Sequence, residues 1–118
     1  MATLKKRTLT GSTNGRPIKI TQTAIATGDT IHTALAGSVE GEGDEVTLYA
    51  FNSHTANVTL TLGLGGVTDP DDLIDIVLVP GGHDLALPGW LVQNSLVLKG
   101  AASVANVAIV YGWVIRSS

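Results

Sequence analysis

The sequence predicts an all-β protein, an antiparallel β-sandwich or jelly roll of about eight strands, on three observations. Short Val, Ile, Leu and Thr runs recur every ~8–12 positions with turn residues between them, the spacing of all-β domains. Helical periodicity is absent from nearly the whole chain. Glycine takes 14 of the 118 positions and only 14% of residues are charged, where a soluble domain typically carries about 25%.

In chain order, residues 1–15 read as a flexible basic N-terminal arm. Lys5, Lys6 and Arg7 precede Gly11-Ser12-Thr13-Asn14-Gly15, a run of small and polar residues that serves as a hinge. Removing residues 2–10 is then expected to leave the fold's melting temperature nearly unchanged. Residues 16–118 read as a single sandwich domain. Its strands begin with Ile18–Thr23 and Thr30–Ala34, separated by Thr27-Gly28-Asp29. Glu45–Asn52 follows the turn residues Gly41-Glu42-Gly43-Asp44. The clearest strand is Val58–Leu64, where Val58, Leu60, Leu62 and Leu64 alternate with threonine or glycine and so share one buried face. Leu73–Val79 comes after Asp69-Pro70-Asp71, and His83–Leu87 lies between Pro80-Gly81-Gly82 and Pro88-Gly89. Leu91–Leu98 and Asn106–Ile115 complete the set.

The last strand is apolar on both faces. Val107, Ile109, Tyr111, Trp113 and Ile115 occupy one side, and Ala108, Val110, Gly112 and Val114 the other. Such a strand is central in the sandwich or lies partly against another subunit. Trp90, after Pro88-Gly89, reads as a second contact anchor on a corner or as a cap on the open end of the sandwich.

Charge is segregated. Lys5, Lys6, Arg7, Arg16 and Lys19 fall in the first 19 positions, all ten acids lie between Asp29 and Asp84, and no Lys or Arg occurs between Lys19 and Lys99. A basic segment ahead of an acidic body suits docking on an acidic neighbour. The net charge of −3 argues against general nucleic-acid binding. The uncharged stretch between Lys99 and Arg116 is shorter and more polar than the ~20 apolar residues of a spanning helix. The basic start has no apolar segment behind it, so it does not read as a signal peptide.

Catalytic chemistry is hard to assemble. Without cysteine there is no disulfide, cysteine zinc site or thiol nucleophile. His32, His54 and His83 show no paired metal-ligand spacing and read as strand-end or loop residues. His83-Asp84 has no Gly-x-Ser-x-Gly elbow to serve. Asp69, Asp71 and Asp72 are the best calcium candidates, but Leu73 stands where the calcium-loop pattern needs an acid or Asn. Asp-Pro-Asp-Asp is also ordinary turn chemistry. The expectation is no enzyme, no cofactor and no metal.

Four segments, in order, resemble a family of small virion structural proteins of tailed bacteriophages: KKRTLTGSTNGRPIKI; IHTALAG followed by DEVTLYAFNS; GGVTDPDDLI; and LVQNSLVLKGAASVANVAIVYGWVIR, which closes on a Gly-[aromatic]-Val-x-Arg tail. The resemblance spans nearly the whole chain. It departs from the family at Leu64, where an aromatic precedes Gly-Gly-x-Thr-Asp-Pro. It implies a protein of the virion's capsid surface, made in the bacterial cytoplasm, that decorates or cements the head. The implied partner is the major capsid protein, and the implied assembly a homotrimer. The candidate interaction residues are Lys5, Lys6, Arg7, Arg16, Lys19, Trp90 and Trp113. The alternatives are a head-completion, tail or fibre component, or a carbohydrate-binding sandwich using Trp90 and calcium at Asp69, Asp71 and Asp72.

Overall fold

The computed structural model describes residues 3–118, which form two packed antiparallel sheets. The nine strands among the described residues are β1 Leu4–Arg7, β2 Ile18–Lys19, β3 Asp29–Thr33, β4 Gly43–Asn52, β5 Val58–Leu64, β6 Leu73–Leu78, β7 His83–Val92, β8 Val97–Ala102 and β9 Ala108–Ser117. A short 3-10 turn, Ile25–Thr27, leads into β3.

The first sheet runs β1-β9-β4-β7, with β2 also paired to β9, and the second runs β3-β8-β5-β6. β1 and β2 lie end to end along the same side of β9, one against Val114–Ser117 and the other against Ile109 and Val110. Counted as one broken strand they make eight positions, and the two strand orders are those of a wrapped jelly roll, the chain changing sheets at every connection but β5–β6.

Alternation decides the core. Val46, Leu48 and Ala50 of β4, Val58, Leu60 and Leu62 of β5, and Ala108, Val110 and Val114 of β9 all point between the sheets and are buried. Asn52 closes one end. Its side-chain amide donates to the carbonyls of Ala56 (3.0 Å) and Leu78 (2.9 Å), while its side-chain oxygen accepts from His54 N–H at 2.8 Å.

Three expectations change. The segment read as a flexible arm is, from Leu4, a strand hydrogen-bonded to β9, and Leu9 inserts into the core at 1% exposure. Its polar sequence conceals one apolar residue at the right place. Met1 and Ala2 of that segment lie outside the described residues. Pro88-Gly89 does not end a strand. β7 is an edge strand, where a missing N–H is tolerated, and Gly89 adopts φ +93° where the register against β4 shifts. The strand expected over Leu91–Leu98 is accordingly split. Its first residues finish β7, its last begin β8, and Asn94 and Ser95 turn between them in the left-handed region.

Leu9→Ala is expected to destabilise the domain by about 2–5 kcal/mol, as core leucine truncations do, and deletion of residues 2–10 to lower the melting temperature markedly. Urea unfolding followed by tryptophan fluorescence measures the first, and a thermal melt the second.

Candidate functional site

The two sheets present different outer faces. On the second sheet, Thr59 and Thr61 of β5 stand beside Asp75 and Val77 of β6, a mostly polar surface in which Thr61 donates to Asp75 at 2.7 Å. The outer face of the first sheet is apolar and aromatic. Residues directly opposite across strands share a face, so the registers set out its rows. One row is Lys19, Ile109, Phe51 and His83; the next is Tyr111, Tyr49 and Leu85; then come Trp113, Thr47 and Pro88. The last is Lys6, Ile115, Glu45 and Leu91.

The rings form a connected patch. Tyr49 stacks on Tyr111 with centroids 5.7 Å apart, Trp113 lies 6.2 Å from Tyr49, and Phe51 lies 4.8 Å from His83. His83 Nδ1 and the Tyr111 hydroxyl are hydrogen-bonded at 2.8 Å, which fixes both rings. Trp113 is 44%, Leu85 50% and Leu91 75% exposed. The charged residues in these rows are Lys19 at one end and Lys6 and Glu45 at the other. Contiguous exposed apolar surface on a small domain marks a contact site.

A cleft of about 680 Å³ opens beside the Glu45 end, walled by Leu4, Trp90, Leu91, Leu96 and Ile115 and rimmed by Glu40, Glu42 and Glu45. Trp90 belongs here rather than on an exposed corner. It lies within β7 opposite the core residue Val46 and packs partly against the core.

The one buried charged cluster among the described residues sits between the sheets. Arg116 donates to Asp44 twice, from Nε at 2.7 Å and Nη2 at 2.9 Å, because the two residues are directly opposite on β9 and β4. His32 reaches the same carboxylate from β3 in the other sheet, Nε2 to Oδ2 at 2.7 Å. Thr10 N–H donates to His32 Nδ1 at 3.1 Å, so Nδ1 is an acceptor and the ring proton lies on Nε2, given to Asp44. Leu35 N–H adds a further donor at 3.1 Å. Burial pushes the Asp44 carboxyl up, but the hydrogen bonds from Arg116 and His32 and the charge of Arg116 together outweigh it and hold the group below the usual carboxylate range. Hydrogen bonding to Asp44 in turn raises the Arg116 pKa.

A His–Asp pair invites a hydrolytic reading. With both ring nitrogens of His32 engaged and the ring 1% exposed, no acceptor position is left to activate a nucleophile. The cluster is a clamp.

Sequence reasoning missed this clamp. His32 was expected at a strand end and Asp44 in a turn, whereas both are buried within strands. A register shift between Thr30 and His32 breaks the alternation and turns Ile31 and His32 both inward. The signal that was present is the Arg116 that ends an otherwise apolar strand. Tyr49, Phe51 and Tyr111 share the outer face with Trp113, one of the expected interaction residues. Lys5, Lys6, Arg7, Arg16 and Lys19 are all exposed, the first three on β1 and Lys19 on β2, lining one edge of the sheet. Asp72 accepts from Thr68 N–H at 3.1 Å, as turn chemistry does. Among the described residues no three His, Cys, Asp or Glu side chains converge on a common point.

No protein-family model, curated protein or solved structure matches the chain.

Arg116→Ala is expected to cost about 3–5 kcal/mol, because it strands a buried carboxylate. The lowered Asp44 pKa gives stability that is fully present above the ordinary value of 3.8 and is lost as pH falls through the lower folded value. Urea midpoints between pH 7 and pH 2 are expected to drop below about pH 4, and Asp44→Asn, less stable at neutral pH, to flatten that dependence.

Proposed function

We propose that the protein is a structural component of a tailed-bacteriophage virion that binds the outer capsid surface and reinforces it through many weak contacts. The observation that carries this reading is the aromatic outer face of β4, β7 and β9. The core is complete without it, so a surface of this kind serves an assembly rather than the stability of the isolated domain. The sequence resemblance to phage virion proteins supplies the kind of assembly.

Two further features support the reading. The buried His32–Asp44–Arg116 cluster is closed to chemistry and holds the sheets together. The basic residues Lys5, Arg7 and Arg16 are all exposed and suit an acidic lattice. Each such contact is weak, but a subunit held at several points on a repeating shell gains from their sum.

A second reading, a carbohydrate-binding sandwich, is favoured by one observation. Pro17, Phe51, His83, Ile109 and Tyr111 line a shallow aromatic hollow of about 240 Å³ suited to stacking against a sugar ring. Quenching of tryptophan fluorescence by oligosaccharides would support that reading against the first.

Shells assembled without the protein are expected to lose integrity at lower temperature than complete shells, and added purified protein to restore them; differential scanning calorimetry of both particles measures this. Unchanged shell melting rejects the reinforcing role. Lys5→Glu with Arg7→Glu is expected to weaken retention on shells roughly tenfold, about 1.4 kcal/mol, with a smaller deficit at high salt. Co-sedimentation at two ionic strengths provides the comparison.

A further inference from the structure

We infer that the aromatic face of the first sheet is occupied by the same face of a second copy of this chain, related by a two-fold axis running along the strands. The inference rests on the proposed role in an assembly and commits this face to one occupant.

Size is the first argument. Four strands at ~4.8 Å and ten residues at ~3.4 Å give a face of about 19 by 34 Å, roughly 650 Å² in flat projection. Protruding rings add accessible area to that figure, so a pair of faces falls within the ~1,200–2,000 Å² of stable interfaces. Composition is the second. The centre, comprising Tyr49, Phe51, Leu85, Ile109, Tyr111 and Trp113, carries no charge, as the cores of homodimer interfaces do.

The rows then choose the arrangement. Sheets packed face to face keep their strands within about 30° of each other, so the axis lies along the strands or across them. An axis along the strands lays each row on itself in reverse order, β1 and β2 over β7 and β9 over β4. Tyr111 meets Tyr49, Ile109 meets Phe51, and the bulk of Trp113 falls on Thr47. Lys6 falls on the partner's Leu91, one strand from the partner's Glu45 and within reach of its carboxylate. An axis across the strands reverses the rows instead and brings Lys6 over the partner's Lys19, a like-charge contact. Charge therefore selects the first arrangement. Within one copy Lys6 and Glu45 are separated by Ile115 and form no ion pair, which leaves both free to pair across the interface.

The test is the mass of the free full-length chain at micromolar concentration, by light scattering on a sizing column and by sedimentation equilibrium. The expected result is twice 12.2 kDa. Trp113→Asp is expected to shift the population to single copies while circular dichroism stays unchanged. Lys6→Glu and Glu45→Lys are each expected to raise the dissociation constant several-fold, and the double swap to recover most of the loss. A fold defect would not be repaired in this way. A single-copy mass for the unaltered chain overturns the inference, as does a three-copy mass or a pair indifferent to Trp113→Asp. If the unaltered chain is single but Trp113→Asp abolishes shell binding, the face belongs to the capsid; that too overturns the second copy and leaves the virion reading standing. A pair that fails to stiffen shells has the opposite meaning: the interface stands and the virion role falls.

Discussion

One buried carboxylate joins what the topology keeps apart. Asp44 takes hydrogen bonds from Arg116 on the neighbouring strand of its own sheet and from His32 on the opposite sheet. His32 in turn is held by Thr10, in the segment after β1. Dispersion and burial press the two sheets together without specifying their alignment, since aliphatic side chains tolerate small slides. A bidentate ion pair with a third donor from across the core does not tolerate them. Among the described residues no buried side-chain nitrogen or oxygen lacks a partner, so the cluster is fully satisfied. It fixes the pitch of β4 and β9, and with them the rows of side chains on the far side of that sheet.

Those rows divide the surface of a chain with few charged residues into two unlike faces. One outer face is threonine-rich and suited to water. The other is aromatic and largely uncharged. The stacked Tyr49 and Tyr111 and the bonded His83–Tyr111 pair are ordered before any partner arrives. A contact made with rigid rings loses little side-chain entropy on binding. The complete core beneath supplies the rigidity, and the clamp between the sheets sets the register of the rings above it.

Much of this architecture was legible in the sequence. Val58–Leu64 alternates cleanly and is a strand over the whole of that range, and the two-faced character of the last strand follows directly from its residues. The failures have local causes. Alternation cannot be followed through a bulge, which hid His32 in β3, nor through a proline-glycine pair that an edge strand absorbs, which cut β7 short. The N-terminal segment was misjudged because its composition is that of a solvated leader, while the single apolar residue that anchors it, Leu9, carries no periodic signal. The aromatic patch was visible only as separate residues. Their convergence depends on the pairing of β4 with both β7 and β9, which one-dimensional patterns do not encode.

The edges of the two sheets have a different consequence, for the life of the protein at high concentration. Each of the four outer strands carries something that discourages another strand from adding to it. β1 and β2 present Lys5, Lys6, Arg7 and Lys19, β7 carries Pro88 and the kink at Gly89, β3 is bulged, and β6 bears Asp75. An open ribbon of stacked chains, the polymer to which an unguarded sandwich is prone, is therefore closed off in every direction along which it would grow. Any contact between copies is left to the faces, whose extent is finite, rather than to the strand edges.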